Sequence, residues 1–293
     1  MILIADSGST KTKWALMTAN GHSTDMLTAG INPVHQSDEA INHTIEVELL
    51  PQLGPMLWAG KLTKVYFYGA GCTPEHGVKV QEALWRILRV EECHVASDML
   101  GAARGLLQHE KGIACILGTG SGSCYYDGAE IAYSVPSLGY ILGDEGGGAK
   151  LGIRLINTLL KNPAYAALRD EFYAQFELSL PDIITDVYRR SVEGHSNPNK
   201  TLAAWSHFCA DKEDDPLIAP LLQAHFEEFV THNLIHYKEV HDCPVSFVGG
   251  IAHQYRKTLK TVLKRHEIRL GLIMQDPLSG LKQYHRKDAT PTL

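Results

Sequence analysis

Residues 2–14 read ILIADSGSTKTKW, and residues 113–123 read IACILGTGSGS. Each stretch is an apolar run that ends in a turn of glycine, serine or threonine, after which the chain returns to a strand-like pattern. An Asn-Gly pair follows the first returning strand and an Asp-Gly pair follows the second, and both pairs favour hairpin turns. The same order of features at two places predicts an internal duplication, in which each copy opens an α/β segment.

A glycine-rich turn of this kind has two interpretations. It is either a plain hairpin or a phosphate-binding loop, in which glycine lets backbone N–H groups approach a phosphate closely and short hydroxyls bond its oxygens. Two such turns in one chain favour a pair of phosphate loops, formed by Gly8, Ser9 and Thr10 and by Gly118, Thr119, Gly120 and Ser121. Asp6, near the end of the first strand, is either the start of a turn or a water-mediated ligand of Mg²⁺.

Composition limits the class of protein. The chain has 293 residues, of which 44% are hydrophobic and 20% charged, which suits roughly two globular domains. A formal charge of −6 argues against a broad nucleic-acid surface, and the six cysteines form no CxxC pair. No apolar run reaches the length of a membrane span, and no secretion signal opens the chain. We therefore expect a cytoplasmic protein without nucleic-acid or membrane partners.

The order of apolar patterns predicts an α/β fold that restarts near residue 111. Strands and helices alternate over the first hundred residues, and residues 220–240 have the period of a helix. FVGGIA at 247–252 then reads as a strand that ends in two glycines. The chain contains no GxxxxGK[ST] sequence, and GTGSGS lacks the GxGxxG spacing of a dinucleotide fold.

In five motifs the sequence resembles the actin, heat-shock chaperone and sugar kinase superfamily, and within it the BadF/BadG type ATPase and N-acetylglucosamine kinase family. The motifs are DSGSTKT at 6–12, SDMLGAA at 97–103, GTGSGS at 118–123, LGDEGGGAKLG at 142–152 and FVGGIA at 247–252. The resemblance implies a two-lobed actin-like, ribonuclease H-like fold with duplicated mixed-sheet domains. Lobe I would span 1–106, with 279–293 packing back on it, and lobe II would span 107–278.

The resemblance also implies an ATP-dependent sugar kinase that uses Mg²⁺, with the nucleotide between the two hairpins. Asp98 would accept the proton of the sugar hydroxyl that attacks the γ-phosphate. The alternative for Asp98 is a helix N-cap, because it follows a strand and opens a helix. Gly249 and Gly250 would lie against the nucleoside, and Ala203 of TLAAWSHF would pack on the adenine unless it only packs within the protein.

Four further positions match sugar-contacting residues of the resembled family. Asn32 of GINP and Asp144 of GDEG would bind ring hydroxyls, and Ser137 and Gly139 of VPSLGY would form the loop around the ring. Asn32 is otherwise a turn residue before a proline, and Asp144 and Glu145 are otherwise caps of the next helix. Leu138 replaces a tryptophan of related mammalian kinases, so the identity of the sugar stays open.

The expected activity is phosphorylation of an amino sugar, with N-acetylglucosamine as the acceptor and its 6-phosphate as the product. The alternatives are a glucosamine kinase, a BadF-type ATPase activator and a sugar sensor that does not catalyse. An activator would hold an iron–sulfur cluster on paired cysteines at a dimer interface, and the chain has no such pair. ATP and the sugar are the expected partners, and a homodimer is compatible with the resemblance.

Overall fold

The structure is a computed structural model that describes residues 1–8, 10–57, 60–189 and 197–289. The chain divides into two compact units. The first holds Met1–Lys111, Tyr126–Ala132 and the described residues from Asp276 onward, and the second holds Gly112–Tyr125 and Tyr133–Gln275. Among the described residues, no helix has the length and apolar character that crossing a membrane requires.

A five-stranded mixed sheet forms the centre of the first unit, in the order β3-β2-β1-β4-β5. Its strands are β1 (Ile2–Ser7), β2 (Lys11–Met17), β3 (Ser23–Ala29), β4 (Lys64–Gly69) and β5 (Glu92–Ser97). β1 runs antiparallel to β2 and parallel to β4. The predicted hairpin therefore forms at the first glycine-rich turn, and the helical crossovers follow it.

Helices cover both faces of this sheet. They are α1 (Asp38–His43), a π-helical turn (Thr44–Leu49), α2 (Leu50–Leu57), α3 (Gly77–Leu88) and α4 (Asp98–Leu107). Because side chains of a strand alternate between faces, Leu3 and Ala5 of β1 enter one apolar cluster and Ile2 and Ile4 enter another. A strand buried on both faces explains why ILIA is apolar throughout.

A second five-stranded sheet has the order β10-β9-β6-β7-β8. Its strands are β6 (Gly112–Leu117), β7 (Ser121–Tyr126), β8 (Ile131–Tyr133), β9 (Val245–Val248) and β10 (Leu270–Met274). β9 lies in parallel between β6 and β10. The second glycine-rich turn joins β6 to β7, as the duplicated pattern predicts.

The helices of the second unit surround one large apolar cluster that is rich in phenylalanine. They are α5 (Gly139–Leu142), α6 (Gly148–Lys161), α7 (Ala166–Phe176), α8 (Leu180–Ile184), α9 (Pro198–Trp205), α10 (Ile218–His232), α11 (Gly250–Gln254) and α12 (Arg256–Arg265). Shorter helical turns are Pro163–Tyr165, Thr185–Arg189, Ser206–Cys209 and Leu234–His236. All six cysteines of the chain are unpaired and buried.

The helix predicted over residues 220–240 is wrong in its second half. α10 ends at His232, because Asn233 leaves the helical region with φ −123° and ψ −63°. A 3₁₀ turn, Leu234–His236, follows it. The apolar period continues past Asn233, so the hydrophobic pattern gives no sign of this break. The break places the polar residues after His232 on the wall of a cavity described below.

The last helix, α13 (Leu278–Tyr284), packs on α4 and on the first sheet. A Cβ on Gly280 would lie 2.0 Å from the carbonyl oxygen of Gly105, so the two backbones touch and only glycine fits there. His285 accepts or donates a 2.8 Å hydrogen bond with the Tyr68 hydroxyl, and its other ring nitrogen lies 2.8 Å from Asp288. Helix α13 and the residues up to Asp288 are thereby held within the first unit.

Candidate active site

Two acids raise the pKa of a third acid in the first unit. Asp6 lies near the end of β1, Asp98 begins α4, and Asp276 follows β10. Burial, followed by the charges of Asp276 and Asp98, raises the pKa of Asp6 to about 7, against opposing effects of Lys13 and Lys11. Lys13 Nζ lies 2.6 Å from Asp276 Oδ2. The first unit thus contains two acids that raise the pKa of Asp6, and Lys13 forms an ion pair with one of them, Asp276.

Asp98 is not the N-cap of its helix, so that alternative from the sequence is wrong. Ser97 has extended backbone angles, and its Oγ accepts a hydrogen bond from Leu100 N at 3.2 Å. Asp98 is the first helical residue, and its Oδ1 accepts a bond from Met99 N at 2.9 Å. Burial raises the pKa of the Asp98 carboxyl. A carboxyl that is more basic than usual suits a proton acceptor.

The turn between β1 and β2 exposes Gly8 and Thr10, whereas Ser9 lies outside the described residues. Gly8 N donates to Lys11 O at 3.1 Å, and the Thr10 carbonyl accepts from Gly30 N at 3.1 Å. These bonds account for the hairpin geometry. The phosphate-binding role of the turn therefore stays a prediction that rests on exposed glycine and hydroxyl groups.

Asn32 lies in the loop after β3 and is almost fully buried. Its Oδ1 accepts a hydrogen bond from Val34 N at 3.1 Å, which is the turn role that the sequence allowed. A Cβ on Gly71 would lie 2.4 Å from the same oxygen, so that glycine makes room for the amide. The loop fixes the side chain, and sugar contact by Asn32 stays a prediction.

In the second unit the Gly118–Ser121 turn packs against the start of α6. Gly148 N donates to Gly118 O at 2.8 Å, and Ala149 N donates to Thr119 O at 2.9 Å. The first two backbone N–H groups of α6 thus donate hydrogen bonds to carbonyl oxygens of the turn. This contact joins two motifs that lie far apart in the sequence, GTGSGS and GDEGGG.

Asp144 and Ser137 also meet this turn. A Cβ on Gly120 would lie 2.5 Å from Asp144 Oδ2, and the Ser121 backbone N–H interacts with the Asp144 carboxylate. Ser137 Oγ donates to Ser121 O at 2.7 Å. Asp144 has a left-handed φ of 58°, a conformation that costs energy for a non-glycine residue. Burial raises the pKa of its carboxyl.

The helix-cap alternative for Asp144 and Glu145 is wrong, because Gly147 occupies the N-cap position of α6 and no side chain caps it. Gly139, with φ 74°, begins α5 in open space. The structure therefore brings Ser121, Ser137 and Asp144 together. Their contact with a sugar stays a prediction.

The two glycines that follow β9 have different surroundings. Gly249 has φ 122°, and a Cβ there would lie 2.3 Å from Leu117 O, whereas no atom lies within 4 Å of the corresponding position on Gly250. Gly249 is thus needed by the fold, and Gly250 has bare, open backbone. Ala203 packs beside Gly148, whose added Cβ would lie 3.2 Å from the Ala203 methyl. The nucleoside contacts predicted for these residues stay predictions.

A cavity of about 410 Å³ opens beside Asp144. The apolar part of its wall consists of Val135, Pro136, Leu138 and Leu142. The polar part consists of Glu145, Thr231, His232, Asn233 and His236. Ser121, Ser137, Gly143 and Asp144 complete the lining. Leu138 and Leu142 are more than half exposed. No motif in the sequence marked His232, the last residue of α10, or His236, in the 3₁₀ turn that follows.

Asp276 was also missed, because it lies outside the five motifs. It stands two residues after β10 and two residues before α13. Its Oδ1 accepts a hydrogen bond from Leu278 N at 3.1 Å.

A buried histidine in α10 predicts pH-dependent stability. His225 is fully buried, and among the described residues neither ring nitrogen has a partner at full hydrogen-bond geometry, although the Gly146 backbone acts on the ring. Burial lowers the pKa of its imidazole to about 3. The unfolded chain binds this proton near pH 6.5, so the free energy of unfolding falls by about 1.4 kcal/mol per pH unit below that value. We expect this side chain to cost about 2 kcal/mol between pH 7 and pH 5.

Urea unfolding of the wild type and of His225→Leu at both pH values measures this difference. The variant should lose about 2 kcal/mol less on acidification, and the exposed His241→Leu is the control for removing an imidazole. Equal pH dependence of the wild type and His225→Leu would contradict the expectation.

Comparison with known proteins shows which solved structures share this fold. No family model matches the chain, and no curated protein matches it. A Porphyromonas gingivalis protein described as a "putative N-acetylglucosamine kinase" is 42% identical, with a TM-score of 0.90, and the match covers 98% of this chain and 99% of that one. A Chromobacterium violaceum protein with the same description is 19% identical, with a TM-score of 0.67 over 97% and 98% of the chains. A Streptomyces griseus ROK family glucokinase, solved with glucose and AMPPNP, is 14% identical, with a TM-score of 0.53 over 99% and 98%.

The fold and these matches define the class of the protein, which is an ATP-dependent sugar kinase with the actin-like fold. The predicted fold class is confirmed, with two mixed sheets in two lobes. Within this class, the chain belongs to the family of sugar kinases that contains the Porphyromonas gingivalis protein.

Proposed function

We propose that the protein transfers the γ-phosphoryl group of ATP to the 6-hydroxyl of N-acetylglucosamine. The description of the 42% identical relative supports this acceptor. The five motifs support a finer placement in the BadF/BadG type ATPase and N-acetylglucosamine kinase family. The observation that carries the proposal is Asp98, whose carboxyl is relieved of the capping role by Ser97.

In this proposal Asp98 accepts the proton of the sugar 6-hydroxyl while the hydroxyl oxygen attacks the γ-phosphorus of ATP, and ADP leaves. General bases of this kind contribute roughly 10²–10⁴ in rate. The raised pKa of Asp98 makes the carboxylate a stronger base. Phosphoryl transfer otherwise depends on positioning and on charge neutralisation.

The nucleotide-binding groups that we propose lie in both units. The turn of Gly8, Ser9 and Thr10 in the first unit and the Gly118–Ser121 turn in the second would lie against phosphate oxygens, with the Thr10 and Thr119 hydroxyls as donors. Gly250, beside Gly249, offers the open backbone that a nucleoside can approach. Ala203, next to the start of α6, would contact the base.

The first unit also fits Mg²⁺. The pKa of Asp6 is raised by burial and by two further acids, and a divalent cation would offset that concentration of negative charge. The described residues contain no cluster of three metal-ligating side chains set to hold an ion directly. We propose that Asp6 would hold Mg²⁺ through water, since Mg²⁺ usually keeps several waters and binds substrate phosphates. The ion would neutralise phosphate charge.

We expect N-acetylglucosamine to be a better acceptor than glucosamine. The apolar wall of the cavity, with Val135 and Leu138, offers a surface to the acetyl methyl. One methyl in an apolar pocket is worth about 1–3 kcal/mol, so the preference in kcat/KM should be roughly tenfold or more. Steady-state measurement of ADP release with each sugar checks this expectation.

Glucose serves as the control acceptor without nitrogen in that assay. A higher kcat/KM for glucosamine than for N-acetylglucosamine would refute the acceptor but leave the kinase class intact. If neither amino sugar increases ADP release above the rate without sugar, the proposed function itself is refuted.

A further inference from the structure

We infer that Glu145 is a specificity-determining residue that reads the nitrogen at C-2 of the acceptor, and that its charge makes free glucosamine a second substrate. This inference rests on the proposed function. Glu145 lies in the polar part of the cavity wall, directly after Asp144. Its side chain is only 15% exposed.

The Glu145 carboxylate has weak partners for a charged group in a recess. His232 Nδ1 lies 3.5 Å from Oε1, and Asn233 Nδ2 lies 3.5 Å from Oε2. Both distances are at the outer limit of hydrogen bonding, whereas charge-assisted bonds are usually 2.7–2.9 Å. An ionised carboxylate offers about four acceptor sites. Glu145 therefore has acceptor capacity left for a donor on the ligand.

The neighbouring acid does not have the same freedom. The Asp144 carboxylate packs against Gly120 and interacts with the Ser121 backbone N–H. Glu145 instead turns toward the segment that follows α10. Both acids line the cavity, but the Asp144 carboxylate is held by the Gly118–Ser121 turn, whereas the Glu145 carboxylate faces Asn233.

The cavity wall matches both forms of the amino sugar in different ways. An acetamido group would donate its N–H to Glu145 and place its methyl toward Leu138. A free ammonium would lose the methyl contact, but it would form an ion pair with Glu145, in which donor and acceptor both carry charge. The carboxylate therefore narrows the preference for the acetylated sugar, and Glu145 should favour glucosamine over glucose.

The test compares kcat/KM for N-acetylglucosamine, glucosamine and glucose in the wild type and in Glu145→Gln. We expect the wild type to prefer glucosamine to glucose by about tenfold. Glu145→Gln should lower activity with both amino sugars, and glucosamine should lose about tenfold more. Glu177→Gln removes an exposed charge in the same unit and should leave the ratio unchanged.

A second variant makes the result independent of the folding of Glu145→Gln. His232→Ala removes the side chain that competes for the Glu145 carboxylate, so the ratio of kcat/KM values should move severalfold toward glucosamine. A wild type that uses glucose as well as glucosamine would overturn the inference, as would equal losses for both amino sugars in Glu145→Gln. If N-acetylglucosamine is phosphorylated in those cases, the proposed function still stands.

Discussion

The Asp98→Asn variant should lose kcat by about 100-fold or more with N-acetylglucosamine, because an amide cannot take the hydroxyl proton. The substitution keeps the size of the side chain and leaves an oxygen that can accept from Met99 N, as Oδ1 does at 2.9 Å. KM for the sugar should therefore change much less than kcat. Steady-state kinetics over a range of both substrates separates the two parameters.

Ser97→Ala is the matched control for this variant. Ser97 provides the cap of α4, so its loss should cost about 1 kcal/mol of stability and leave kcat close to wild type. Chemical denaturation of both variants compares their free energies of unfolding. If Asp98→Asn turns over at nearly the wild-type rate, the carboxyl is not the proton acceptor.

Gly249→Ala should destabilise the protein by roughly 3 kcal/mol or more, through backbone strain and overpacking. Gly249 has φ 122°, and the new Cβ would lie 2.3 Å from the Leu117 carbonyl oxygen. The contact is backbone to backbone, so no side-chain rotation relieves it. Because Leu117 ends β6 beside the Gly118 turn, we also expect weaker nucleotide binding.

The adjacent glycine provides the comparison. Gly250→Ala places a methyl where nothing lies within 4 Å, at the first residue of α11. Its free energy of unfolding should stay within about 0.5 kcal/mol of the wild type, as for a surface substitution. Urea denaturation of the two variants side by side measures the difference. Equal stability of both variants would contradict the steric argument.

The sequence predicted features that depend on local chemistry. Glycine and hydroxyl residues after an apolar run mark a turn because of their backbone freedom, and both hairpins form where this pattern occurs. Asp98 was singled out because SDMLGAA resembles a segment of the family, and its place between a strand and a helix left the N-cap alternative open. Asp276 lies in none of the five motifs, so it was missed.

Other features depend on contacts between distant residues, and no local pattern reports them. The Glu145 carboxylate lies near Asn233, which is 88 positions away, through the fold alone. The end of α10 at His232 follows from the backbone angles of Asn233, although the apolar period continues. Gly249 was expected to serve the nucleoside, and its left-handed φ and approach to Leu117 arise from tertiary packing.

The glycine contact between α4 and α13 has a consequence for synthesis of the chain. Gly105 and Gly280 touch through their backbones, and the segment from Asp276 onward completes the first unit. The second unit is encoded entirely before that segment. During translation, all residues of the second unit therefore leave the ribosome before α13. The first unit is complete only after α13 has been synthesised. A stop codon that removes α13 would leave the first-made half of the protein without its final element.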